Sequence, residues 1–178
     1  MIEIRDAEPS EYAAVGELTV AAYALLPVDH LWGGYAAEIR DTAARAQRAD
    51  IIVGALDGEL VGAVTYVPDA TSPWSEWSEP GEAQFRLLAV ARAARGHGVG
   101  EGLTRECIRR AGAAGQPLVI YTSKWLTTAH RIYSRLGFER QADRDVSYAE
   151  WNSPPVADLP LEWIGEPFLA YSWRAASG

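Results

Sequence analysis

The chain has 178 residues, with 16 Lys and Arg against 24 Asp and Glu, a formal net charge of −8 and a pI near 4.9. That length suits one domain over residues 1–178, and 48% hydrophobic with 22% charged residues excludes a disordered chain. The acidity weighs against nucleic acid and anionic membrane surfaces, which are bound by clustered Lys and Arg, while the single cysteine, Cys107, excludes an internal disulfide.

Ile2 to Arg5 alternates apolar and polar residues and predicts a short strand. Glu8-Pro9 opens a helix, proline being tolerated in a first turn. Val15, Leu18 and Ala22 continue it at helical spacing, and Pro27 ends it. Gly33 to Ala49 carries a second helical pattern, with Tyr35, Ile39 and Ala43 at four-residue steps. Ile51 to Leu56 and Leu60 to Val67 are strands joined by Asp57-Gly58, a strong hairpin signal. Phe85 to Val90 reads as a buried central strand. Val99, Leu103, Cys107 and Ala111 form a helix stripe, which puts Cys107 in the core. Pro117 to Tyr121 is another buried strand. Trp125, Ala129, Ile132, Tyr133 and Leu136 form a further stripe, capped by Gly137. Phe168 to Trp173 is the last strand.

The order is mixed α and β, without repeats. No apolar run reaches the ~18 residues of a membrane span. The N-terminal stretch lacks the apolar core of a signal peptide, so a cytoplasmic location is expected. Two irregular stretches, residues 68–82 and 150–167, are rich in Pro, Ser and Trp. Loops longer than ~12–15 residues are usually functional or disordered.

Between the strand FRLLAV and the next helix lies Arg95-Gly96-His97-Gly98-Val99-Gly100. Glycines let a ligand approach the backbone, and a helix N-terminus offers free N–H groups to an anion. The segment is neither a dinucleotide fingerprint nor a Walker A loop, since the later glycines of the first and the Gly-Lys-Ser/Thr of the second are missing. The three histidines show no metal-ligand spacing. His97 reads as an exposed loop residue and His130 as a helix surface residue.

The pattern R-x-x-G-x-G after LLAV resembles the acetyl-CoA pyrophosphate loop of the GNAT superfamily of N-acetyltransferases. Ala129 to Phe138 is similar to that family's A-x-x-x-Y-x-x-L-G-F segment. The resemblance covers roughly residues 2–148 and the final strand. It implies a mixed, mostly antiparallel central sheet with a splayed parallel strand pair, flanked by helices. It further implies acetyl-CoA between those strands, held by main-chain groups around Leu88, Ala89 and Val90, by Arg95, Gly96, His97, Gly98, Val99 and Gly100, and by Ala129. Tyr133 matches the general acid that returns a proton to the leaving thiolate, and a phenol of pKa near ~10 is chemically suited to that step.

The base is open. The family often places a glutamate where this chain has Gln84, which takes no proton. Glu82 lies on the same strand face and serves either through a water or only as a solvated strand-start residue. Leu126 stands where many family members have a cofactor-binding asparagine.

In this fold both irregular stretches commonly border the acceptor. Each holds four acids, no Lys or Arg, and two tryptophans. Carboxylates beside aromatics suit a cationic amine. The expected acceptor is therefore a small-molecule or peptide amine, cationic beyond the reacting nitrogen, contacted by Trp74, Trp77, Glu79, Gln84 and Trp163. Family members often dimerise, which makes a homodimer part of the expectation. Two readings stand beside the enzyme: a non-catalytic acyl-CoA-binding or sensor module of the same fold, and a protein-interaction module docking through the Trp-rich loops.

Overall fold

The structure is a computed structural model that describes residues 1–26, 34–147 and 166–176. Strand β1 (Ile2–Asp6) leads through a short turn into α1 (Tyr12–Tyr23). Two short helices follow, α2 (Tyr35–Arg40) and α3 (Thr42–Ala46). Then come β2 (Asp50–Leu56), β3 (Glu59–Val67), β4 (Ala83–Val90) and α4 (Val99–Ala113). The chain closes with β5 (Leu118–Ser123), α5 (Thr127–Arg135), β6 (Glu139–Arg140), β7 (Val146–Ser147) and β8 (Pro167–Trp173).

The expected continuous helix over 33–49 is two helices. The chain breaks at Asp41, whose backbone leaves the helical region and whose carboxylate accepts the Ala44 N–H at 3.0 Å. A residue with a short acidic side chain favours that capping geometry over helix continuation.

Among the described residues eight strands form one sheet in the order β1-β2-β3-β4-β5-β8-β6, with β7 also on β8. Every pairing is antiparallel except β4 with β5. One face of the sheet packs under α4 and α5, with Phe85, Val99, Leu103, Cys107, Leu118 and Tyr133 in its core. The other face carries α1, with Val15, Ile51, Val53 and Ala63 beneath it. Cys107 is fully buried, and burial pushes its thiol pKa up, so its place is packing.

Helix α4 lies close to the sheet for a steric reason. Gly54 of β2 and Gly62 of β3 are register partners. A Cβ on either would stand 2.8 or 2.6 Å from Val99 Cγ1. The first turn of α4 thus rests on bare backbone. No helix among the described residues is long and apolar enough to cross a membrane.

Candidate active site

The parallel pairing of β4 and β5 is short. It joins Ala83 to Leu118 and Gln84 to Val119, and from Phe85 onward β4 has no partner strand on that side. The cause lies within β4. Its register against β3 slips by one residue between Thr65–Arg86 and Ala63–Ala89. Leu87 at the slip takes a left-handed φ of 54°. Such a bulge adds one unpaired residue and bends its strand. A leucine pays backbone strain there, which its burial at 5% exposure opposes. The two strands therefore open into a cleft, with the main chain of Leu88, Ala89 and Val90 on its β4 side.

The glycine loop closes one end of that cleft. Arg95 to Gly98 is exposed, and Gly98 opens α4 with φ of 86° and no side-chain cap. The first-turn N–H groups are not taken by a capping side chain, as an anion site requires. Arg95 Nε donates to the Val90 carbonyl at 3.4 Å, tying the loop to β4. A Cβ on Gly96 would meet nothing within 4 Å. One on Gly100 would touch Val90 Cγ2 at 3.5 Å and Ile132 Cδ1 at 3.8 Å, so α4, β4 and α5 converge there. Val99 is 1% exposed, which leaves only its main chain for a ligand. His97 is exposed, with Nδ1 3.2 Å from the Arg95 carbonyl. Ala129, on α5, is half-buried against the core. Open glycines, an uncapped helix start and an unpaired strand edge fit a pyrophosphate-bearing thioester such as acetyl-CoA.

Tyr133 stands beside the opening. Its ring lies 5.7 Å from that of Phe85, the first β4 residue beyond the parallel pairs, and also packs on Phe138 and Tyr171. The end of α5 fixes it. Gly137 has φ of 84°, Phe138 N–H donates to the Tyr133 carbonyl at 3.0 Å, and Gly137 N–H to the Ser134 carbonyl at 3.2 Å. This is a Schellman cap with its apolar contact between Tyr133 and Phe138. Burial pushes the Tyr133 phenol pKa up, with Cys107 and Tyr171 adding to it. The hydroxyl bonds no described residue. His130, one turn earlier, is half-buried instead of on the surface. It stacks on Tyr171, and a ring nitrogen lies 3.0 Å from the Ser123 carbonyl.

The opposite face of β4 carries Glu82, Gln84 and Arg86, and all three are committed. The Gln84 amide oxygen accepts Glu76 N–H at 2.8 Å, and its nitrogen donates to the Glu76 carbonyl at 3.1 Å. At 1% exposure Gln84 anchors the Trp-rich loop and presents no surface to an acceptor. Both Glu82 oxygens bond Arg144, at 2.7 and 2.8 Å, and one also accepts Glu79 N–H at 2.9 Å. Burial pushes the Glu82 pKa up, but these donors outweigh it and hold the carboxyl below its ordinary range. Glu82 is thus no solvated strand-start residue: three donors hold its carboxylate.

The first irregular stretch is ordered around these anchors. Trp77, at φ of 58°, packs on Tyr121 and Phe168, and its carbonyl accepts the Tyr121 hydroxyl at 2.9 Å. The Trp74 carbonyl accepts Arg86 at 3.0 Å, and Glu76 bonds the other arm of Arg86 at 2.5 Å. Trp74 and Trp77 are half-buried and Glu79 is exposed. The charge argument for a cationic acceptor loses Glu76 and Glu82 to these arginines, and Glu166 to Lys124. Trp163 and residues 150–165 of the second stretch lie outside the described residues. Arg86 and Arg144 belong to no motif. A basic residue on an otherwise apolar strand was the one signal for Arg86.

Comparisons with known proteins agree with this geometry. The model of the acetyltransferase (GNAT) family matches residues 14–138. No curated protein matches the sequence. Among solved structures, YncA of Salmonella typhimurium, solved with its cofactor acetyl-CoA, is 16% identical with a TM-score of 0.69, over 100% of this chain and 96% of that one. A protein described as histone acetyltransferase HPA2 and related acetyltransferase from Corynebacterium glutamicum is 21% identical with a TM-score of 0.69, over 99% and 98%. A GNAT family acetyltransferase from Brucella melitensis, in complex with acetyl-CoA, is 24% identical with a TM-score of 0.58, over 78% and 83%.

Proposed function

Since the chain belongs to the GNAT family of acetyltransferases, we propose that it moves the acetyl group of acetyl-CoA onto a primary amine of a small molecule or peptide by direct attack, with Tyr133 as proton donor. The observation that carries this reading is the cleft itself: β4 parts from β5 after Gln84, Tyr133 packs on the next β4 residue, and the uncapped start of α4 lies at the far end.

Acetyl-CoA is the cosubstrate of the family, and it supplies an activated thioester. The loop Arg95–Gly100 would hold its pyrophosphate. The main chain from Leu88 to Val90, which has no partner strand on its β5 side, with Ala129 across the cleft, would hold the pantetheine arm. Main-chain N–H groups fixed along the bulged strand stabilise charge that develops on the carbonyl oxygen, without reorganisation during the step. Tyr133, whose pKa burial raises, stays protonated at neutral pH and so remains a donor to the departing sulfur. We assign Glu82 to holding the loop, since a carboxylate locked by Arg144 and lowered in pKa is a poor base. The amine then loses its proton to solvent.

Tyr133→Phe keeps the ring in its aromatic nest and removes only the hydroxyl that carries the proton. It should lower kcat by ~10²-fold and leave acetyl-CoA affinity unchanged, with CoA release and calorimetric binding as the two readouts. An unchanged kcat would overturn the assignment of Tyr133. The non-catalytic acyl-CoA module draws support from Gln84 and Leu126. Cofactor binding without CoA release across a broad amine panel would favour it.

A further inference from the structure

The α5 side of the cleft is built of apolar side chains. Phe85 and Val90 of β4, Ile120 of β5, and Ala129 and Ile132 of α5 belong to the core that Tyr133 shares. The Tyr133 hydroxyl interrupts this lining, and Thr122 of β5 supplies a second hydroxyl. Leu118 and Ile120 face that core, and side chains alternate along a strand, so Thr122 projects to the same face. The last parallel pair joins Gln84 to Val119. Counting on in step brings Thr122 level with Leu87, the bulge residue at which β4 turns away. On its other edge Thr122 is paired with Leu169 of β8. Its place on the cleft wall is therefore fixed from behind, while its β4 side is open.

Thr122 is 4% exposed, and its Oγ1 has no hydrogen-bond partner among the described residues. A buried hydroxyl without a partner costs free energy, and such groups are few in folded proteins. Valine has nearly the same shape, the same β-branch and the same strand preference without that cost. Packing and strand formation therefore give no reason for an oxygen at this position. The chemistry of the cleft does give one. The pantetheine arm is an aliphatic chain interrupted by amide groups, and an apolar wall with one hydroxyl complements it. A threonine hydroxyl both donates and accepts, so it matches either the N–H or the carbonyl of an amide. Leu126, at the head of α5, has no polar side chain to offer in its place.

We infer that Thr122 Oγ1 hydrogen-bonds an amide of the pantetheine arm from the β5 side of the cleft, and so sets how the arm passes Leu87 on its way to Tyr133. The inference rests on the reading of the cleft as the acetyl-CoA site. It extends the grip on the arm from the main chain of β4 to a side chain of β5. Thr122 is a binding residue in this account and takes no part in proton transfer.

The test compares the full wild-type chain with Thr122→Val and Thr122→Ser. Calorimetry should show acetyl-CoA bound about three- to tenfold more weakly by Thr122→Val, the worth of one hydrogen bond. Thr122→Ser keeps the hydroxyl and should bind close to wild type. Without cofactor, Thr122→Val should melt at or above the wild-type temperature, because it buries no unpartnered oxygen. Acetyl-CoA should then raise its Tm by less than it raises that of the wild type. The adenosine bisphosphate half of CoA, which lacks the arm, should bind all three chains alike. Unchanged acetyl-CoA affinity in Thr122→Val overturns the inference. Equal weakening in Thr122→Ser also overturns it, since the methyl would then carry the effect. So does a cofactor-free Tm of Thr122→Val clearly below wild type, which would give the hydroxyl a partner within the fold. CoA release with a panel of amines is read separately. A wild-type chain that binds acetyl-CoA without releasing CoA overturns acetyl transfer, and the Thr122 inference still stands or falls on the affinities. A wild-type chain that does not bind acetyl-CoA overturns both.

Discussion

Glu82 and Tyr133 lie on opposite faces of the same strand pair and are prepared in opposite ways. Tyr133 is surrounded by aromatic rings that exclude water, and its hydroxyl is bonded to no described group. Glu82 is surrounded by donors: Arg144 on both oxygens and Glu79 N–H on one. The first arrangement preserves a proton for delivery, and the second consumes lone pairs in holding two chain segments together. The two residues are therefore separable by experiment. Glu82→Gln would leave the half-buried Arg144 without its counter-charge. Losing one partner of a buried pair costs roughly 3 kcal/mol, which in a chain of this size lowers Tm by about 6–12 °C. We expect that loss with kcat reduced less than about tenfold, since general base catalysis is worth ~10²–10⁴. A Tm close to wild type with kcat down by ~10³ would restore Glu82 as the base. Melting curves beside steady-state kinetics decide it.

At the level of elements, much of the framework could be read from period and punctuation. The 99-103-107-111 stripe is buried in α4, and Asp57-Gly58 turns β2 into β3. The motif residues Arg95 to Gly100 and Tyr133 fall on the loop and helix where their spacing puts them. Three features were not readable, each for a physical reason. The bulge at Leu87 is set by register against β3, and nothing in the run FRLLAV marks which leucine takes a positive φ. The bond between Glu82 and Arg144 joins residues 62 apart in the chain, which composition by segment cannot see. Gly54 and Gly62 look like weak strand residues, and only the sheet register shows that they face each other under Val99. That pair makes an element-scale prediction. Gly62→Ala puts a methyl into Val99 and Leu103. Overpacking of this kind costs about 1–3 kcal/mol. The most direct relief is to lift the first turn of α4, the turn that would hold the pyrophosphate. A Tm decrease should therefore come with a several-fold weaker acetyl-CoA affinity. A stability loss with unchanged affinity would show that the glycine pair serves packing alone.

For the whole molecule, the net charge of −8 is less informative than where the charges meet. Arg110 of α4 ties Asp6 of β1 at 2.6 Å, Asp50 of β2 at 2.9 Å and Glu106 of its own helix at 2.9 Å. Arg5 of β1 grips Glu11 at the entrance to α1 through two bonds, at 2.7 and 2.8 Å. Glu11 also accepts Glu8 N–H at 2.8 Å, which closes a capping box around the first turn. The Arg5 guanidinium pulls the Glu11 pKa down from 4.5 to about 2, against the opposing effect of burial and with help from Glu8 N–H. Glu82, Glu101 and Glu106 are lowered by arginines as well. A carboxyl whose folded pKa lies below its unfolded one stabilises the fold above the unfolded value, and the contribution fades as pH falls toward the folded value. For Glu11 that window runs from 4.5 down to about 2. Stability attributable to these pairs should thus hold from neutral pH to near 4.5 and fall below it. The decisive comparison is Glu11→Gln, which retains an acceptor for Glu8 N–H while removing the charge that Arg5 holds. At pH 7 the variant should melt below the wild type. As pH falls from 4.5 toward 2 the gap should close, because protonation makes the native residue resemble the variant. Calorimetric Tm values across that range test it, and a gap that stays constant down to pH 2 would mean that Glu11 acts through geometry and not through charge.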